Sequence, residues 1–132
     1  MGGTTENYGL TVWGREDEFC SPEGINGNFE AVDEALGGLF VFGSYSGNGA
    51  ASRNIALGFQ PRAVYLCTRS GIAGTASGSE YSYGGLALRG NPVQLSGVTA
   101  VSINTTGFSL SAPNGYIRIN VNGTTYYYCA VR

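Results

Sequence analysis

The stretch Tyr116-Ile117-Arg118-Ile119-Asn120-Val121-Asn122-Gly123-Thr124-Thr125-Tyr126-Tyr127-Tyr128-Cys129-Ala130-Val131 decides the fold class. Two alternating runs flank Asn122-Gly123, a pair that tolerates positive φ at both positions and favours a type I′ hairpin turn. The pattern predicts one strand over 116–121 and a second over 124–131. A two-residue loop fixes the register. Val121 then faces Thr124, Ile119 faces Tyr126 and Ile117 faces Tyr128 on the core side. Asn120 with Thr125, Arg118 with Tyr127 and Tyr116 with Cys129 form the other side, where Arg118 is expected over the Tyr127 ring.

Upstream of this hairpin the same grammar repeats. Leu39–Tyr45 is apolar and aromatic, and Ser46–Gly49 is a turn cluster. Arg53, Ile55 and Leu57 alternate with Asn54 and Ala56. Ala63–Thr68 sets Val64 and Leu66 on one face and Tyr65 and Cys67 on the other. Leu86 with Leu88, Val98–Asn104 and Phe108–Ser111 complete the set. Many short strands and frequent turns predict an all-β domain over 39–132, an antiparallel β-sandwich of Greek-key or jelly-roll type.

Residues 1–38 read differently. Asn28 is a natural N-cap, Glu30 suits the first turn and Gly37 suits a left-handed C-cap. Between them Phe29, Val32 and Leu36 recur at i, i+3 and i+7 and predict a helix. About nine residues of helix are too short to be stable alone. This N-terminal segment is therefore expected to dock or oligomerise through Phe29, Val32 and Leu36, with Trp13 nearby.

Composition excludes several functions. The 132 residues are 42% apolar and 12% charged, with a net charge of −2. Eight of the nine acids precede Gly37-Gly38 and six of the seven cations follow it, so an acidic leader adjoins a basic body. All seven cations are Arg, and there is no His. A chain of this kind makes a poor nucleic-acid ligand. Without His or Lys it has no ready base for its serines, and it lacks the commonest metal ligand. No cofactor, no metal and no catalysis are expected. Glu16, Asp17 and Glu18 read as solvated acids rather than a glycosidase pair or a calcium loop. No apolar run approaches the roughly 20 residues of a membrane helix. Met1–Glu6 has neither the basic nor the apolar region of a signal peptide.

Other motifs have plain readings. Gly71–Gly78 lacks the Lys and the following helix of a phosphate loop and reads as a mobile surface loop. Asn104-Thr105-Thr106 and Asn122-Gly123-Thr124 read as turns. Cys20, Cys67 and Cys129 are odd in number and widely spaced, which predicts buried free thiols in a reducing compartment. Nine tyrosines remain to be explained. The connection Ser70–Tyr83 is long enough to suggest a role. Arg69 just before it, and Glu80, Tyr81 and Tyr83 within it, are candidates for contact with a receptor or glycan, since tyrosine suits binding surfaces. Burial in a subunit interface and plain surface are the other two readings of the tyrosines.

Two parts of the chain resemble bacteriophage tail fibre and appendage proteins. Asn7–Gly14 carries a "YGL" segment, and Asn28–Gly38 an "NFxxxDxAL" pattern, as in their leaders. Gly43–Gly49, Arg53-Asn54-Ile55, Leu57–Val64, Gly84–Leu88, Gly107-Phe108 and the Tyr-rich final strand are similar to a small β module of phage and prophage tail genes. The resemblance implies a non-enzymatic virion structural protein, made and assembled in the bacterial cytoplasm. It implies a homo-oligomer, with a trimer favoured, that contacts other tail proteins and serves assembly or host attachment. The chain is short beside a fibre, which favours a tip, adaptor or decoration subunit. A carbohydrate-binding module without catalysis is the alternative, with a host-surface glycan as partner.

Overall fold

A computed structural model describes residues 3–5, 10–12, 25–77 and 79–132. The chain separates into two compact units, Met1–Leu39 and Phe40–Arg132.

In the first unit, β1 (Gly3–Thr4) and β2 (Thr11–Val12) pair antiparallel, and α1 spans Ile25–Gly37. The helix starts a turn earlier than its sequence predicts. Asn28 is inside it and is not the N-cap, so Glu30 falls outside the first turn. Gly37 is the last helical residue and has no positive φ. The Gly38 N–H still donates to the Glu34 carbonyl at 3.3 Å. Extension adds a backbone hydrogen bond per residue and brings Ile25, four residues before Phe29, onto the apolar stripe. Together these outweigh the modest helix penalty of Asn28. Trp13 and Cys20 lie outside the described residues.

The second unit is an all-β sandwich. Its strands are β3 (Phe40–Ser46), β4 (Ser52–Ala56), β5 (Ala63–Thr68), β6 (Gly74–Ser77), β7 (Ser79–Ser82), β8 (Gly85–Leu88), β9 (Val93–Leu95), β10 (Val98–Asn104), β11 (Gly107–Ser111) and β12 (Thr125–Val131). One antiparallel sheet has the order β4-β11-β10-β9, the other β3-β12-β5-β8, and β6 pairs with β7 as a separate ribbon. The chain passes from one sheet to the other at β3→β4, β4→β5, β8→β9 and β11→β12. Val64, Leu66, Ala87, Tyr126 and Ala130 from one sheet and Ala100, Val101, Phe108 and Leu110 from the other form a single core. The Phe108 ring meets the Tyr128 ring edge-on across it, centroids 5.2 Å apart. Tyr128 needs room, and Gly43 opposite it on β3 supplies that room, because a Cβ there would collide with the phenol.

The predicted terminal hairpin does not form. β12 pairs with β3 (Tyr126↔Tyr45) and with β5 (Tyr128↔Leu66), so both its edges are taken. Residues 116–121 instead run irregularly across the end of the sandwich, with Ile117, Ile119 and Asn120 buried. The Tyr126 hydroxyl donates to the Arg118 carbonyl at 2.6 Å and accepts from the Val121 N–H at 3.2 Å. The Tyr45 hydroxyl donates to the Ile119 carbonyl at 2.6 Å. These phenols satisfy backbone groups that no strand partner reaches. Asn122-Gly123 is a turn, closed by Thr124 N–H to Val121 carbonyl at 3.0 Å, but only Gly123 takes a positive φ (75°). That excludes type I′, which needs positive φ at both positions. The turn lies against Gly47, whose N–H donates to the Thr124 carbonyl at 2.8 Å.

The stretch 71–78, expected as a mobile loop, contributes β6, which pairs with β7. Their register runs from Gly74↔Ser82 to Ser77↔Ser79. Small residues in this stretch hid the strands, because Gly, Ala and Ser give no hydrophobic alternation to read.

Candidate binding surfaces

The first surface is an aromatic cluster. β7 carries Tyr81, and Tyr83 follows directly after it. Asn114 folds the opposing segment, its Oδ1 accepting from the N–H groups of Tyr116 (3.0 Å) and Ile117 (3.2 Å). The Ser82 N–H then donates to the Tyr116 carbonyl at 2.9 Å, and the Arg118 N–H to the Ser82 carbonyl at 2.7 Å. This stitch brings the Tyr81 ring to 6.4 Å from that of Tyr83 and 5.9 Å from that of Tyr116. The Arg118 guanidinium lies 4.4 Å from the Tyr81 centroid, with its Nε donating to the Gly115 carbonyl at 3.0 Å. Tyr116 is 55% exposed and the other two rings are half-buried. Such a group offers flat apolar faces and one cation, and no pair that could activate a nucleophile.

The structure thus unites Tyr81 and Tyr83 from the sequence candidates and adds Tyr116 and Arg118, which the sequence reading missed. Arg118 covers Tyr81 and not Tyr127, because the hairpin that would have paired it with Tyr127 is absent. The adjacency of 81 and 116 is a tertiary fact with no sequence signal. Arg69 stands apart on the tight turn after β5, its N–H donating to the Thr125 carbonyl at 3.1 Å. Glu80 is in β7 opposite Ala76.

The second surface is the helix stripe. Phe29 is 67% and Leu36 64% exposed, with Val32 between them also in solvent. Glu30, Asp33 and Glu34 flank the stripe and are exposed.

The third surface is the outward face of the sheet β3-β12-β5-β8. Period-two alternation sets Phe40, Val131, Ala63 and Leu88 in one row, then Phe42, Cys129, Tyr65 and Leu86, then Ser44, Tyr127 and Cys67. Phe42 is 77% exposed, and Phe40, Tyr65, Leu86, Leu88 and Tyr127 are exposed as well. None of these eleven residues is charged. At roughly 200 Å² for a fully exposed large side chain, the six display roughly 600 Å² of apolar surface. That is at the top of the range for the largest patch on a typical monomer. Cys67 and Cys129, expected as buried free thiols, are free thiols on this outward face and only half-buried. The signal in the sequence was the apolar character of both faces in Phe40-Val41-Phe42 and Gly85-Leu86-Ala87-Leu88, where a half-solvated sheet should alternate with polar residues.

Among the described residues no group of His, Cys, Asp or Glu could hold a metal ion, and no described helix is long and apolar enough to cross a membrane. No protein-family model, curated protein or solved structure matches the chain.

Proposed function

We propose that this chain is a non-enzymatic structural protein of a phage virion, part of the tail or its appendages. It docks through its N-terminal segment and presents the β-sandwich for assembly or host attachment. One observation carries the reading: large apolar side chains at Phe29, Val32 and Leu36 stand in solvent on an amphipathic helix. Exposed apolar stripes of this kind mark interaction surfaces. The resemblance of the leader and the β module to tail proteins supplies the setting. A homo-oligomer, trimeric by that resemblance, and neighbouring tail proteins are the partners. Replacing Val32 with Asp should abolish assembly, read as particle mass and as the neighbouring chains in an assembled virion, while the sandwich keeps its unfolding transition. Retained assembly would remove the docking role.

The aromatic cluster favours a second reading, a carbohydrate-binding module. Tyr81, Tyr83 and Tyr116 offer ring faces on which a sugar can stack, with Arg118 beside them. Binding on a glycan array that is lost in Tyr81→Ala supports it. Absence of binding to any cell-wall fraction counts against it.

A further inference from the structure

The apolar sheet face has a basic end. Arg132 follows β12, Arg62 precedes β5 and Arg89 follows β8, so three adjacent strands carry arginines at the same edge. The edge is knit together: the Arg62 N–H donates to the Val131 carbonyl at 2.8 Å and the Arg89 N–H to the Arg62 carbonyl at 3.1 Å. All three residues are exposed, although the Arg89 guanidinium already donates to the Gln60 carbonyl at 3.1 Å and the Pro61 carbonyl at 3.3 Å, and that of Arg132 lies 4.8 Å from the centroid of the Phe59 ring. The helix carries the complementary set, an exposed apolar stripe bordered by Glu30, Asp33 and Glu34. At 13 residues it is about 20 Å long. Four strands at about 4.8 Å spacing make a face of nearly the same width.

We propose that the outward face of β3-β12-β5-β8 is the receptor for α1 of a second copy of this chain. Phe29, Val32 and Leu36 would cover Phe40, Phe42, Tyr65 and Leu86, and the helix acids would lie toward the arginine edge. The inference rests on the docking role proposed for the stripe and names its partner. A contact between two different surfaces is heterologous, so it closes into a ring of copies or continues from copy to copy. The absence of charge on the face and its area, approaching the roughly 800 Å² per partner of a standard interface, fit a protein surface as occupant. Cations at the end of the face and acids beside the helix stripe favour this pairing.

Complementation by mixing full-length variants tests it. Phe42→Glu destroys the face and spares the helix. Val32→Asp destroys the helix stripe and spares the face. Leu86→Glu repeats the first lesion on another strand. All three positions are exposed, and an unchanged unfolding transition checks that each variant folds. The wild type is expected at the mass of two or more chains by light scattering, and each variant alone at the mass of one. An equimolar mixture of Phe42→Glu with Val32→Asp should form a dimer, since one intact helix meets one intact face. A mixture of Phe42→Glu with Leu86→Glu should stay monomeric. A monomeric wild type at about 100 μM, or a Phe42→Glu/Val32→Asp mixture that stays apart, overturns the proposal. If the wild type associates and Val32→Asp does not, yet the mixture fails, this inference falls while the docking role stands. If Val32→Asp still associates, the docking role falls with it.

Discussion

Tyr45 and Tyr126 lie side by side on neighbouring strands, rings stacked at 5.2 Å between centroids and 18° between planes. Both hydroxyls leave the sheet and bond to the irregular segment 118–121. One stacked pair thus joins the sandwich core to the segment that carries Arg118 and leads on from Tyr116.

Removing either hydroxyl should loosen this end. Tyr45→Phe leaves the Ile119 carbonyl without its donor, and Tyr126→Phe strips the Arg118 carbonyl and the Val121 N–H together. A buried polar group left unsatisfied costs about 1–3 kcal/mol. The larger loss is expected for Tyr126→Phe, measured by urea unfolding. Because the two rings touch, the double variant should depart from additivity by about 0.5 kcal/mol or more.

The same phenols predict alkaline instability. Burial, and then the neighbouring Tyr126, hold the Tyr45 phenol well above the ordinary tyrosine value of 10.0, with Arg53 pulling weakly the other way. Burial likewise raises Tyr126, against the hydrogen bond from Val121. A raised folded pKa means that the unfolded chain releases its protons first. Their contribution is full below about pH 10 and declines as pH rises above it, by up to about 1.4 kcal/mol per pH unit for each phenol. Midpoints of urea unfolding between pH 8 and 11.5 should be flat and then fall, with the fall shallower in Tyr45→Phe.

Gly47 is tied to its place by backbone on the other side. A Cβ there would collide with the Val121 carbonyl. Gly47→Ala must push the 120–124 segment away, and such overpacking costs about 1–3 kcal/mol. Gly115→Ala, where a Cβ meets open space, should cost far less. Thermal unfolding of the two variants distinguishes them.

Asn120 is buried with its amide in use. Nδ2 donates to Asn48 Oδ1 at 2.6 Å and to the Ala50 carbonyl at 2.9 Å, while Oδ1 accepts from the Asn48 N–H at 3.2 Å. Asn120→Leu should destabilise by about 2–3 kcal/mol, because it buries an apolar group against polar ones that lose their partners. Hydrogen exchange should then speed up at Asn48, whose N–H bonds to the Asn120 side-chain oxygen.

The sequence by itself determined the class of fold. The apolar, aromatic run at 39–45, the alternation at 53–57 and the strand-like stretches 63–68, 98–104 and 108–111 mark strands, since a period of two reports which face each side chain takes. It also marked the amphipathic helix and the tyrosines at 81 and 83. Only the tertiary structure decided who pairs with whom. Ile117 and Ile119 alternate like a strand, yet β12 spends its two edges on β3 and β5. Periodicity names a face and says nothing of the neighbour. The meeting of Tyr81 with Tyr116 and Arg118, and the assembly of Phe42, Tyr65 and Leu86 on one face, depend on contacts between distant residues. Those contacts are chosen by filling a common core, a condition no local stretch of sequence contains.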